Sequence, residues 1–295
     1  MTSPLPYYLN TAEVAEYLRL KPRKVYDLVR QGQIPCSRAT GKLLFPRSSV
    51  DLWVMKHLEG DAREGDSPPE VLAGSQDPLL DWALRESGSG LATLCQGSGD
   101  GVQRLLAARA LVVGSHLLGA DGRYNVPSEL GLGGMSDLVV LHWVRRTQGL
   151  IVAPGNPCGL ETITDLARTE ARVVRRQEGA GAHRLLVRLV EQAGLALDAI
   201  ALASRPAMSE DDLALAVHHG EADVGLGAEA AARRQGLDFI PLHQEDFDLL
   251  MRRRSYFSEP VQRLVRFARA ERLRHQAEAL GGYDLSRHGE VRFNA

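Results

Sequence analysis

Apolar positions recur at helical spacing twice within the first thirty residues. Ala12, Val14, Ala15 and Leu18 form one stripe, and Val25, Leu28 and Val29 form another. Asn10 or Thr11 suits the cap of the first helix, with Glu13 in its first turn. Arg19-Leu20-Lys21 is a short turn. Pro22 suits the first position of a second helix, which runs to about Gln31 and stops at Gly32. The pattern then alternates. Ile34 to Phe45 predicts two short strands around Ala39-Thr40-Gly41. Arg47 to Met55 predicts a closing helix with Val50, Trp53 and Val54 packed inward. Two short helices joined by a three-residue turn are the helix-turn-helix plan, here with a hairpin wing.

A polar stretch, HLEGDAREGDSPPE (57–70), has no apolar periodicity and predicts a domain boundary. Beyond it the texture changes. Apolar runs at 71–75, 91–95 and 111–116 each read as the strand of a strand, Gly/Ser loop and helix unit, three times over. That repetition predicts a parallel α/β sheet. A second set opens at residue 146. GLIVA is a strand and LETITDLA a helix. ARVVRRQEGAGAHRLLVRLVEQAG (171–194) is strand, Gly-rich loop and helix. Residues 211–242 supply helix, strand, helix and strand. VQRLVRFARAERLRHQAEAL (261–280) predicts one basic amphipathic helix, whose Leu/Val stripe fits packing better than a second DNA contact.

In such sheets ligands sit at strand C-termini, against helix N-termini. Ser75, Ser98 and Ser115 fall at or near three such loops. Hydroxyls and backbone N–H groups there suit an anion, although each serine would serve equally as a helix cap. Ala180 and Gly181, in the loop Gln177–Arg184, let a ligand approach backbone, and a tight turn needs the same small residues. Arg176 adds a charge beside that loop or lies at the surface. In the head, Arg23, Lys24 and Tyr26 fall at the start of the second helix, where side chains meet base edges and phosphates; Arg38 and Lys42 flank the wing and reach phosphates. His116, His142, His183, His218 and His219 show no metal-ligand spacing and read as packing or surface residues. No nucleophile elbow, phosphate loop or paired carboxylates stand out, so no enzyme is expected, and no cofactor.

Composition sharpens the division. The chain has 295 residues, 44% apolar and 24% charged, which is ordinary for a globular protein. Residues 1–60 hold nine Lys/Arg against five Asp/Glu, and the remainder 26 against 32. A basic head on an acidic body suits a DNA-binding head. Cys36, Cys95 and Cys158 form neither a disulfide framework nor a zinc pattern. With no signal-peptide pattern and no long apolar run, a cytoplasmic protein without membrane contact is expected.

T-x-E-V-A-x-Y-L, V-Y-x-L-V-R-x-G-x-I-P and F-P-R-S-S-V-D-x-W resemble the excisionase/MerR-type winged helix over nearly the whole head. GSH-L, R-Y-N, TQGLIVAPGNP, RRQ-x-G-x-G, GEADVGLGAEAAARRQGLDF and GGYDLS resemble the cytoplasmic periplasmic-binding-like domain, over about residues 74–289. The resemblance implies a small winged helix-turn-helix head at 1–58, a linker at 59–70, and an α/β body of the two-lobed, type-2 periplasmic-binding-protein kind at 71–295. Lobe I would comprise about 71–145 and 246–295, and lobe II about 146–245. It implies an oxyanion ligand, molybdate or tungstate, and a ligand-responsive transcriptional regulator that binds double-stranded DNA, with two copies expected for two half-sites. The family loop usually reads RQ-x-G-S-G-T-R; Ala180, Ala182 and His183 depart from it here. Two other readings remain open: a protein handling molybdate or the molybdenum cofactor with the head as adaptor, and an excisionase-like architectural DNA binder with a degenerate body.

Overall fold

A computed structural model describes residues 8–38, 41–56 and 68–295. The chain divides into two compact units, Met1–Asp66 and Ser67–Ala295. Residues 59–67 of the expected 59–70 linker and the wing tip Ala39-Thr40 lie outside the described residues.

The first unit comprises β1 (Tyr8–Leu9), α1 (Thr11–Tyr17), α2 (Pro22–Arg30), β2 (Phe45–Pro46) and α3 (Arg47–Lys56). Asn10 caps α1. Its side chain accepts from the N–H groups of Ala12 and Glu13, and the Glu13 carboxylate accepts from the Asn10 N–H at 2.7 Å. This reciprocal pair satisfies donors that the helix start would otherwise leave orphaned. Pro22 opens α2, and Gly32, at φ +66°, follows its end. The wing is slighter than the alternation predicts. Phe45–Pro46 pairs antiparallel with Tyr8–Leu9, which leaves Ser37–Leu44 as a single bridge. The core is Leu9, Val14, Ala15, Val25, Leu28, Ile34, Phe45 and Val50. The core-facing stripe of α3 runs through Val50 and Trp53 and leaves Val54 exposed at its rim; Ala12 is exposed too. Tyr17 donates to Asp51 at 2.7 Å and so ties α1 to α3.

The second unit begins with β3 (Val71–Gly74), α4 (Pro78–Ser87), β4 (Ala92–Leu94), α5 (Ser98–Leu106) and β5 (Val112–Ser115). Next come β6 (Leu138–Val152), β7 (Val173–Val174), α6 (Gly181–Gln192), α7 (Glu210–His218), β8 (Val224–Ala228), α8 (Glu229–Arg234) and β9 (Asp238–Arg252). It ends with α9 (Arg253–Tyr256), α10 (Glu259–Ala268), α11 (Glu271–Leu280), β10 (Tyr283–Asp284) and β11 (Val291–Asn294). One curled sheet runs β4-β3-β5-β9-β6-β8-β7, with β10 and β11 also pairing β6.

That sheet is mixed, where a parallel one was predicted. The outer groups β4-β3-β5 and β8-β7 are parallel, as repeated strand–loop–helix units require. The centre is antiparallel, because β6 and β9 are fifteen-residue strands that pair along their length. Local runs such as GLIVA and FIPL are only the ends of these strands. The expected lobe boundaries at 145/146 and 245/246 therefore fall inside continuous strands, at the register pair Arg146–Glu245. β6 changes register on either side of that pair, between His142 and Val144 and between Gln148 and Gly149. Such irregularities bend a strand and raise its twist, which suits a strand shared by two lobes.

Each lobe has its own apolar clusters. Leu72, Leu79, Trp143 and Phe247 anchor one lobe, and Leu150, Val173, Leu185 and Leu226 the other. Three further expectations change. The third strand–loop–helix unit stops at its strand, because among the described residues no helix lies between β5 and β6. LETITDLA contains one 3-10 turn, Ile163–Ala167, drawn tight by the Asp165 carboxylate accepting from the N–H groups of Glu161 and Thr162. The single helix at 261–280 is two helices. A straight twenty-residue helix spans about 30 Å; the break after Ala268 lets Leu273 and Ala277 return to the cluster that holds Val261 and Leu264.

Candidate functional site

In the head, burial of Val25 and Leu28 turns the other side of α2 to solvent. Arg23, Lys24 and Tyr26 are exposed there, Tyr26 at 54%. The start of α2 has no side-chain cap and no acidic residue in its first turn. Two cations at the positive end of a helix are unfavourable by a few tenths of a kcal/mol each, in the order of magnitude of such dipole effects (~0.3–1 kcal/mol). A DNA phosphate there would remove that cost. Arg38 and Lys42 are exposed, and the Gly41 N–H donates to the Arg38 carbonyl at 2.9 Å.

In the body, the strand ends and helix starts bring together part of the expected set. Ser75 follows β3 and Ser98 opens α5; their hydroxyls lie 2.7 Å apart. The His116 backbone N–H donates to the Ser98 hydroxyl at 3.2 Å. Gly181, the first residue of α6, packs on the His116 ring so closely that a Cβ there would lie 2.5 Å from the ring Cε1. A Cβ on Gly97 or Gly99 would lie 3.7 Å from the Gly179 carbonyl, so the glycine-rich loops of the two lobes face each other with room for little more than one added carbon. Ala180, buried, precedes α6. Two helix N-termini, from α5 and α6, thus flank Ser98 and His116.

Ser115 and Arg176 are placed elsewhere. The Ser115 hydroxyl is fully buried and donates to Asn125 at 2.7 Å; Asn125 in turn donates to Asp248, which also holds His142 and Arg292. Arg176 spends its guanidinium on the Gln177 side chain and the carbonyls of Ala207 and Met208. Burial pushes its pKa down, against the raising pull of Glu210.

Beneath Ser98 and His116 lies a buried charged network that sequence reasoning missed. Arg146, 1% exposed, pairs with Glu245, with Asp77 at 3.1 Å and with Glu210 at 3.4 Å. Gln148 donates to Glu245 at 2.7 Å, and the His116 Nδ1 lies 2.9 Å from the other Glu245 oxygen. Tyr283 donates to Asp77 at 2.8 Å, Asp77 caps α4 through the Leu80 N–H, and Glu210 accepts from the Ala228 N–H. Burial works to raise the Glu245 pKa, but Arg146 and His116 prevail and hold it at about 2. Burial likewise works to depress Arg146, and the three carboxylates drive it well above the usual value. Burial and then Asp77 push the Tyr283 phenol well up, so it keeps the proton it donates. Arg146 reaches across the strands that both lobes share, from Asp77 at the start of α4 to Glu210 at the start of α7. The Phe247 ring carries Arg146 at 4.8 Å and stacks with His116 at 5.7 Å. An open groove of about 630 Å³ is lined by Leu118 and His183, each two residues on from His116 and Gly181, together with Gly119 and Arg184.

A signal for this network was present in the sequence. Arg146 and Gln148 interrupt an apolar run, and such an interruption in a buried strand needs partners. GSH, TQG and GGYD, within motifs that carry the family resemblance, contribute His116, Gln148 and Tyr283, and Arg146 immediately precedes the second of them. Among the described residues no group of His, Cys, Asp and Glu is arranged to hold a metal ion, and no helix is long and apolar enough to cross a membrane.

Comparison with known proteins agrees with both halves. A helix-turn-helix domain model matches residues 8–57, and the model of the PBP superfamily domain matches residues 81–269. Protein YvgK of Bacillus subtilis (strain 168) is 26% identical over 310 residues, covering 95% of this chain and 96% of its own. A Clostridium perfringens structure with bound phosphate, assigned as a phosphate ABC transporter substrate-binding protein, superposes with a TM-score of 0.56. It is 12% identical and covers 71% of this chain and 96% of its own. A tungstate ABC transporter structure from Geobacter sulfurreducens gives 0.51, at 12% identity, over 68% of this chain and 94% of its own. At these identities the likeness is one of fold.

Proposed function

Because the chain belongs to the PBP superfamily and carries a helix-turn-helix domain ahead of that body, we propose that it is a transcriptional regulator whose DNA binding responds to a small oxyanion. Molybdate and tungstate are the first candidates, with phosphate and sulfate next. The observation that carries this reading is the meeting of the α5 and α6 N-termini at Ser98 and Gly181, beside the strands both lobes share. Helix N-termini and hydroxyls bind an anion through neutral donors. That matters here, since Arg146 is already engaged by three carboxylates. The glycine-rich loops lie close to each other, and in this reading the lobes part about β6 and β9 to admit the ligand. A ligand changes DNA affinity only by binding the two lobe arrangements unequally. We place the protein in the cytoplasm, acting as a homodimer on paired half-sites through Arg23, Lys24 and Tyr26, with Arg38 and Lys42 on phosphates.

The test is calorimetric titration of the full chain with molybdate, tungstate, sulfate and phosphate, paired with gel shifts on DNA from upstream of its own gene. A binding anion at a hundredfold its Kd should stabilise the protein by about 2.7 kcal/mol and change the DNA affinity. No heat and no melting shift for any of the four anions removes the oxyanion reading. Equal DNA affinity with and without a bound anion removes the regulatory one.

A further inference from the structure

We infer that His116 binds the anion of the proposed site through Nε2, and that binding a proton-free oxyanion draws one proton from solvent into that contact. This rests on the function proposed above. Nδ1 is committed to the ionised Glu245 carboxylate, at 2.9 Å, so Nδ1 carries a proton and Nε2 is left to face a ligand. The His116 residue is 4% exposed, and among the described residues Nε2 has no hydrogen-bond partner. The ring is held between Phe247 and Gly181, at the first residue of α6, while its backbone N–H holds the hydroxyl that opens α5. It therefore sits where both helix N-termini meet.

A hydrogen bond between Nε2 and a ligand oxygen needs a proton between them. Either the imidazole is protonated and donates, or the ligand brings the proton and the imidazole accepts. Charge favours uptake. Asp77, Glu210 and Glu245 oppose a single guanidinium, Arg146, so the network beneath the site is negative before any anion arrives. A protonated His116 stands between that network and the ligand. The charged and titratable groups around it are Glu245 of β9 at Nδ1 and Arg146 of β6 over the shared Phe247 ring; Tyr124 and His243 also feel the Glu245 charge.

The experiment is calorimetry of the full chain with tungstate, molybdate and sulfate, in buffers of low and high ionisation enthalpy. It is run at a series of alkaline pH values. The expected result is uptake of about one proton per anion, with Kd rising about tenfold per pH unit. Hydrogen phosphate brings its own proton and should show uptake near zero. Wild-type binding of tungstate, molybdate or sulfate without uptake, or with a pH-independent Kd, overturns the inference and leaves the proposed function standing. Because the wild type alone decides uptake, the test survives a variant that fails to fold. His116→Gln, if folded, should bind without uptake; retained uptake overturns the assignment to His116. No binding of any anion at any pH overturns the proposed function, and this inference with it.

Discussion

The head and the body set their candidate contacts differently against their cores. In the head every buried residue among those described is apolar, from Leu9 to Val50, and the candidate contacts Arg23, Lys24 and Tyr26 stand outside that core. In the body the candidate contacts are continuous with buried charge: Ser98 and His116 lie on Glu245, Arg146, Asp77 and Glu210. A surface site can be altered with little effect on folding. A site built on buried ion pairs cannot, because removing one partner strands the other in a poor solvent for charge.

The largest expected effect follows directly. Arg146→Met would leave three buried carboxylates facing one another, and the body should lose about 3–5 kcal/mol, read from urea unfolding. Loss of under 1 kcal/mol would mean that water reaches the network, and would break the contrast with the head. Arg146→Lys keeps the charge but not the fork that reaches Asp77 and Glu210 together, so an intermediate loss is expected.

Acid should find the same weakness. Glu245 has a folded pKa of about 2, below the ordinary carboxylate value of 4.5. A depressed folded pKa contributes stability that is present above pH 4.5 and is lost as pH falls through 4.5 toward 2. The loss should be on the order of a few kcal/mol, and the Glu245→Gln body should show a flatter acid limb. Identical acid limbs for wild type and variant would assign acid unfolding to other groups.

The two regions also differ in how far they can be read from sequence. The head is legible because its signals are local. Asn10 and Glu13 cap within one turn, Pro22 and Gly32 bound α2, and the apolar stripe lies within thirty residues. The wing is slighter than its alternation predicts because Phe45 finds its partner at Leu9, across the sequence. In the body the strand–loop–helix units were legible for the same local reason. The antiparallel centre was not, since each half of β6 or β9 satisfies a short-strand pattern by itself. The network was least legible: Asp77 meets Arg146 and Tyr283, and His116 meets Glu245, over separations that no window spans. Ser115 shows the limit of register arguments. It occupies the expected strand end, yet its hydroxyl serves Asn125.

Head substitutions should separate stability from binding. Arg23→Ala should weaken specific DNA binding by about 1–3 kcal/mol if Arg23 reads a base, with folding unchanged within about 0.5 kcal/mol. Unaltered affinity for every duplex at low salt would remove α2 as the reading helix. Asn10→Ala should do the reverse. Loss of the cap costs about 1 kcal/mol of head stability, seen as faster hydrogen exchange in α1, and no specificity should change.

The smallest effect is expected at Lys42, and it tests the surface side of the contrast most cleanly. Lys42 is exposed beside the wing turn and has no ion-pair partner among the described residues. Lys42→Ala should therefore leave the melting temperature unchanged, since exposed substitutions away from caps and networks shift stability by less than about 0.5 kcal/mol. Its effect should appear only in binding. A lysine on a phosphate releases one counterion, so the slope of log affinity against log salt should fall by about one, equally for every sequence. A change in sequence preference would make Lys42 a base contact. An unchanged slope would place the wing off the DNA and leave recognition to α2.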